Sequence, residues 1–345
     1  MIFRQMFDST SSTYTYILAS RRGGEAMIID PVLEKVDQYL RVLEELDCKL
    51  VKAVDTHVHA DHITGLGALR NKTRCVTVMG NESSADIVSM RVREGESIDV
   101  DGVSLNVMYT PGHTDDSYCF LLEDRVFTGD TLLIRGTGRT DFQHGDPRAQ
   151  YDSIFNKLLK LPSDTLVYPA HDYKGETVST IGEEMAYNPR LQVSSIDEYV
   201  DIMNGLNLAD PKMIDVAVPA NQAIGAPQSD EDDASWAISV ADASPLVQDT
   251  DALFVDLRED HERRRDGTIP ASVHAPYKAL HDFVQPGGML HYEAAQGDKQ
   301  IIFYCAYGER SALAVQTAQD AGLERVCHVI GGIDAWKSEG GPLDR

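Results

Sequence analysis

Val51-Lys52-Ala53-Val54-Asp55-Thr56-His57-Val58-His59-Ala60-Asp61-His62 is the stretch on which the fold of this chain turns. Residues 51–54 read as a short buried strand, and His57, His59, Asp61 and His62 follow at once in the form His-x-His-x-Asp-His. The same arrangement recurs downstream. Residues 105–109 lead into Pro111-Gly112-His113-Thr114, residues 126–127 into Thr128-Gly129-Asp130, and residues 166–168 into Pro169-Ala170-His171-Asp172. Strand ends in a layered α/β domain open onto one edge of a sheet, where separate strands can converge their side chains while the scaffold stays rigid. A lone histidine is usually a surface or core residue, but four such clusters in order point to a metal site. Imidazole with carboxylate suits zinc or non-haem iron rather than calcium or magnesium.

The 345 residues exceed one ordinary core and suit two domains. A net charge of -24 supplies no basic footprint for nucleic acid. No apolar run approaches a membrane span, and residues 1–8 lack the basic-then-apolar pattern of a signal peptide. The five cysteines, at 48, 75, 119, 305 and 327, have no paired spacing, which fits a reducing compartment; a cytoplasmic protein is expected. Strand-like and helix-like runs alternate over residues 1–225, with helices expected at 35–46, 63–70 and 150–161. Small and acidic residues over 226–237 read as a linker. Residues 238–345 form a second, smaller α/β unit with strands near 252–257 and 300–304 and a helix over 311–321 capped by Gly322.

His-x-His-x-Asp-His, Pro-Gly-His-Thr, Thr-Gly-Asp and the later His171 resemble the metallo-β-lactamase superfamily, which implies an αββα sandwich over residues 1–225. Two chemistries fit within it. A dinuclear zinc thioesterase of the glyoxalase II type would use every ligand, with Asp130 shared. A mononuclear site would use His57, His113 and Asp130, a facial triad suited to iron(II) and O2. Residues 133–142 (LIRGTGRTDF), Tyr168-Pro169-Ala170-His171-Asp172-Tyr173 and Asn188-Pro189-Arg190 are similar to persulfide dioxygenases, which oxidise glutathione persulfide. That resemblance implies one Fe(II) per chain on His57, His113 and Asp130, and no organic cofactor. It places His59, Asp61, His62 and His171 around the ligands, and Arg139, Tyr173 and Lys174 against glutathione. A salt bridge from Arg139 to Asp141 is the plainer alternative for that arginine. Gly136 and Gly138 suggest a backbone bend.

Cys305 ends the second strand of the C-terminal unit and opens Cys305-Ala306-Tyr307-Gly308-Glu309-Arg310-Ser311 ahead of a helix, where backbone N–H groups and the helix terminus favour a thiolate. With Asp256-Leu257-Arg258, Gly267-Thr268-Ile269-Pro270-Ala271 and Gly331-Gly332-Ile333-Asp334-Ala335-Trp336, the loop resembles that of rhodaneses, sulfurtransferases built on a central parallel sheet. Four residues separate Cys305 from Arg310, where phosphatases on related folds have five. The resemblance implies that Cys305 carries sulfur as a persulfide between thiosulfate and glutathione. Ala306 replaces a frequent arginine and Thr268 a usual histidine, which leaves Arg310 as the main loop cation. The expected protein is thus a bifunctional fusion whose partners are small molecules: glutathione persulfide, thiosulfate, glutathione and O2. It is compatible with a homo-oligomer and expected to bind neither nucleic acid nor membrane.

Overall fold

The computed structural model describes residues 1–86, 88–206, 208, 213–224, 236–297 and 299–344. The chain forms two compact units, residues 1–86 with 91–224, and residues 87–90 with 225–345. Most of the expected linker, residues 226–235, lies outside the described residues. Its end differs from expectation: Ala237–Ile238 is a strand paired with the last strand of the second unit.

The first unit is built on two six-stranded sheets. One runs β1 (Ile2–Asp8), β2 (Thr13–Ala19), β3 (Glu25–Ile29), β4 (Lys49–Val54), β5 (Val76–Gly80), β6 (Met90–Val92), antiparallel through β3 and parallel from β3 to β5. The other has the order β14-β13-β10-β9-β8-β7, formed from β7 (Ser97–Val100), β8 (Val103–Tyr109), β9 (Tyr118–Leu122), β10 (Arg125–Gly129), β13 (Leu166–Pro169) and β14 (Ser179–Thr180). A hairpin of β11 (Leu132–Leu133) and β12 (Gly136–Thr137) stands apart.

Alternation along the strands explains the layering. Phe127 and Tyr168 project toward the first sheet, where their rings meet Phe3 and Tyr16 at 4.9 to 6.2 Å. Their neighbours Val126 and Val167 point the other way, into a core with Ile154, Leu158, Ile181 and Tyr199 from the helical segments. Helix α1 (Val36–Glu45) buries Val36, Tyr39 and Leu43, one stripe at helical spacing. The segment expected as a helix over 150–161 is helical but not uniform: α3 (Pro147–Tyr151), capped by Asp146 with Pro147 in its first turn, passes into a π-helical stretch, Asp152–Lys157, and a 3₁₀ turn. The remaining helices of the unit are α2 (Leu66–Thr73), α4 (Ile181–Tyr187), α5 (Ile196–Asn204) and α6 (Ile214–Gln222). This is the αββα sandwich that the sequence led us to expect.

The second unit has a five-stranded, all-parallel sheet in the order β15-β19-β18-β16-β17, from β15 (Ala237–Ile238), β16 (Ala252–Asp256), β17 (Val273–His274), β18 (Gln300–Tyr304) and β19 (Val326–Val329). Strand β18 is buried on both faces, as the continuous apolar run demands. Ile301 and Phe303 pack with Ala314, Val315 and Ala318 of α11 (Glu309–Asp320), whereas Ile302 and Tyr304 pack with Trp336 of α12 (Gly332–Ser338). Gly322, at φ +89°, closes α11.

Candidate active sites

Strands β8, β10 and β13 run in one direction, β8 and β10 each antiparallel to β9 and β10 parallel to β13. Their C-terminal ends therefore deliver His113, Asp130 and His171 to the same edge, and β4 delivers residues 57–62. The structure brings His57, His113 and Asp130 together with their ligand atoms within 4.8 Å, all buried, a group able to hold a metal ion. Among the described residues two further groups satisfy the same geometry: His59 with Asp61 and His62, and Asp30 with Asp55 and His59.

Hydrogen bonding fixes the tautomers of the first group. The Thr56 hydroxyl donates its only hydrogen to Asp30 (3.0 Å), so its oxygen accepts from Nδ1 of His57 at 2.9 Å. Nδ1 of His113 donates to the carbonyl of Arg139 at 2.7 Å. With Nδ1 committed in both rings, Nε2 is the nitrogen each can offer to a metal, and Nε2 of His113 lies 3.6 Å from Asp130. Burial, reinforced by His59 and His113, holds His57 well below the ordinary imidazole range and hence neutral, as a ligand must be. Burial opposes the charge of Asp130, but the rings of His171, His113 and His57 outweigh it and keep the carboxylate ionised well below its usual range.

His171 is placed differently. Its Nδ1 donates to Asp130 at 2.7 Å and its Nε2 to Asp61 at 2.8 Å. Burial works against its charge, yet these two carboxylates prevail and hold it well above the ordinary range. Nδ1 of His59 and Nε2 of His62 are buried without a hydrogen-bond partner. Such orphaned nitrogens are rare unless something else satisfies them, and they fit a cation nearby. The site as a whole thus fits a metal in its chemistry.

A cavity of about 780 Å³ opens over this centre, large enough for a tripeptide-sized ligand. Arg139, Tyr173 and Lys174 all line it. Arg139 is bidentate to Asp141 at 2.6 and 2.7 Å, the plainer alternative raised from the sequence, so its charge is already compensated. Tyr173 is exposed and stacks on His171, rings 6.0 Å apart. Arg190, the last residue of Asn188-Pro189-Arg190, also lines the cavity, and its guanidinium bonds the carbonyl and hydroxyl of Thr137, with no carboxylate partner among the described residues. Nothing local in the sequence marks it, because Thr137 is 53 residues away. The turn falls at Ile134-Arg135, with Arg135 at φ +54°, and Gly138 is required by close packing instead: a Cβ there would sit 2.2 Å from the carbonyl of Asp130 and 2.7 Å from Nδ1 of His113.

In the second unit Cys305 follows β18 and is fully buried. Gly308, at φ +95°, aims its N–H at Sγ, 3.1 Å away, and α11 begins at the next residue. Arg310 departs from expectation. It is not a loop cation open to substrate: both terminal nitrogens are on Glu262, at 2.8 and 2.6 Å, and both side chains are 1% exposed. Burial resists ionisation of Glu262, but Arg310 lowers it to about 2. The rhodanese-type spacing thus places this arginine as a brace between the loop and α8 (Asp260–Asp266).

Fold and sites together define a metallo-β-lactamase domain joined to a rhodanese-like domain. The metallo-beta-lactamase superfamily model matches residues 9–171 and the rhodanese-like domain model residues 239–339. The mouse relative named persulfide dioxygenase ETHE1, mitochondrial, is 47% identical over 228 residues, covering 65% of this chain and 89% of that one. The chain belongs to the persulfide dioxygenase family. The crystal structure of ETHE1 from Myxococcus xanthus is similar at 53% identity and a TM-score of 0.63, covering 65% of this chain and 99% of that one. A metallo-beta-lactamase from Staphylococcus aureus, 22% identical with a TM-score of 0.62, covers 96% of this chain and 99% of its own, and so shares the fold across both domains.

Proposed function

We propose that the protein oxidises glutathione persulfide with O2 to sulfite and glutathione, at an iron(II) held by His57, His113 and Asp130, and that Cys305 transfers sulfur between thiosulfate and glutathione. The observation that carries the first part is the pair of imidazoles whose Nδ1 atoms are both committed, so that their two Nε2 atoms and one ionised carboxylate share one small volume. Membership of the persulfide dioxygenase family supports it. Bound there, iron(II) would supply the redox chemistry that O2 requires.

The chain's own residues bind and orient. Arg190, with Arg139, Tyr173 and Lys174, is positioned to hold the anionic glutathione portion. Leu133, Ile134 and Phe142 line the same cavity and restrict water. His171 donates through one nitrogen to Asp130 and through the other to Asp61, and so orients the Asp130 carboxylate that would help hold the metal. In the second unit, the Cys305 thiolate attacks the outer sulfur of thiosulfate, an S–S bond forms as the donor's S–S bond breaks, and sulfite leaves with the electron pair. A glutathione thiolate then takes that sulfur and returns Cys305 to the thiolate. Five free cysteines fit a reducing cytoplasm.

One observation favours a dinuclear zinc thioesterase instead: the unpartnered nitrogens of His59 and His62 beside Asp61. His171 weighs against it, since both its nitrogens are spent on carboxylates. Metal analysis combined with O2 uptake decides. About one iron per chain and rapid uptake on glutathione persulfide are expected; two tightly held zinc ions with fast thioester hydrolysis would refute the proposal.

A further inference from the structure

Beside Cys305 lies a buried polar pair, Ser311 at the end of the loop string and His328, that the sulfur transfer just described does not use. Ser311, in the first turn of α11, places its hydroxyl 3.6 Å from Sγ of Cys305. On the far side that hydroxyl is 3.2 Å from Nδ1 of His328, which rises from β19. All three residues are fully buried, and the ring of Trp236 packs against that of His328 at 5.5 Å.

A hydroxyl has one hydrogen and two lone pairs. Ser311 gives its hydrogen to the carbonyl of Gly308 at 2.9 Å. The contact with His328 is then Nδ1–H donating to the Ser311 oxygen, and the neutral thiol at 3.6 Å can only donate to it as well. When the thiol loses its proton this arrangement changes. The S–H donor is gone, and a hydrogen bond to an anionic acceptor is roughly twice as strong as a neutral one. The Ser311 hydrogen therefore turns from the Gly308 carbonyl to Sγ, while His328 goes on donating to the Ser311 oxygen and holds it in place. The sulfur then has two donors, this hydroxyl and the Gly308 N–H at 3.1 Å.

The geometry points to His328 as a positioning residue of the sulfurtransferase site, acting through Ser311 to supply a second hydrogen bond to the Cys305 thiolate. The inference rests on Cys305 being the nucleophile and adds two residues to its machinery. Both half-reactions need this contact: thiolate is the attacking group in the first, as the Sγ–S bond forms and the donor's S–S bond breaks. It is the leaving group in the second, as the acceptor thiolate takes the sulfur and the electron pair returns to Sγ. No oxidant or reductant enters.

The test is the rate of Cys305 alkylation by iodoacetamide at neutral pH in the full chain, read at the Cys305 peptide so that the other four cysteines do not contribute, beside thiosulfate-to-glutathione transfer. Ser311→Ala and His328→Leu should each slow both by about tenfold, the effect of one charge-assisted hydrogen bond. The double variant should be no slower than Ser311→Ala alone, because His328 acts only through the hydroxyl. His328→Gln, which keeps an N–H donor, should recover most of the rate and controls for a packing defect under Trp236. Parental alkylation in His328→Leu, additive losses in the double variant, or equal losses in the leucine and glutamine variants would overturn the inference. A parent chain that alkylates at Cys305 but transfers no sulfur would instead overturn the functional reading on which it rests.

Discussion

Replacing Glu262 with glutamine should destabilise the second unit by about 3 kcal/mol while leaving the first unit intact. Glu262 and Arg310 are each 1% exposed and joined by two short hydrogen bonds, so water screens the pair little. The carboxyl is lowered to about 2 from an ordinary 4.5, and that difference of about 2.5 corresponds to about 3 kcal/mol. Breaking a buried pair by removing one charge costs about 3–5 kcal/mol, which agrees. Because the folded value is depressed, the contribution is fully present above pH of about 4.5 and is lost as pH falls toward about 2. Both tryptophans of the chain, Trp236 and Trp336, lie in the second unit, so their fluorescence during urea unfolding reports that unit alone. With a urea slope of about 1–3 kcal/mol/M, Glu262→Gln should lower the midpoint by about 1–3 M at pH 7. The gap between parent and variant should close at low pH. An unmoved midpoint at pH 7, or a gap that persists undiminished through the acid range, would refute the assignment of Arg310 as a brace.

The other outcomes concern the sites. Asp130→Ala should lose bound metal and O2 uptake together, because it removes the only anionic member of the triad; metal analysis by mass spectrometry checks this. Gly138→Ala should weaken metal retention without touching any ligand, since the added Cβ meets the carbonyl of Asp130 at 2.2 Å and the His113 ring at 2.7 Å; equilibrium dialysis against a chelator measures it. Arg190→Met should raise KM for glutathione persulfide by about 10- to 100-fold at unchanged metal content, the loss of one charge-assisted hydrogen bond, whereas Arg139→Ala should raise it less because Asp141 already takes its charge. Cys305→Ser should abolish sulfur transfer and thiosulfate-driven O2 uptake yet spare uptake on supplied glutathione persulfide, as an oxygen electrode would show.

Much of this architecture was legible because its signals are local. Short apolar runs and the histidine clusters that follow them placed β4, β8, β10 and β13 and the residues after them. The helix expected over 35–46 is α1, whose buried stripe is Val36, Tyr39 and Leu43. The same reasoning could not see that residues 152–157 widen into a π-helix, since apolar spacing does not distinguish i+4 from i+5 bonding. Nor does the sequence show which distant partner a polar or charged side chain chooses. Thr56 reaches Asp30 across 26 residues, Arg310 reaches Glu262 across 48, and Ser311 reaches His328 across 17. Residue type announces that a group is capable of chemistry, but only the fold decides whether its charge is spent on a neighbour or left for a ligand.

That distinction orders the cations of this acidic chain. Arg135 is paired with Glu183 and Glu184, Arg139 with Asp141, Arg258 with Asp256 and Arg310 with Glu262. Arg190 is held by neutral oxygens alone, with no carboxylate partner among the described residues, in the lining of the first cavity. An anion entering there meets a guanidinium that gains a counter-charge on binding, so binding relieves a cost instead of displacing an existing ion pair. The Cys305 loop is built on the opposite principle. Its arginine is neutralised from behind, and what faces the sulfur is a backbone N–H, a hydroxyl and the start of a helix. Dipoles of that kind favour negative charge at one point without attracting anions from afar. Under the proposed function, selectivity at the first site would rest on net charge and at the second on the position of a few hydrogens, which is why a single neutral substitution such as Ser311→Ala is the sharper probe of the second.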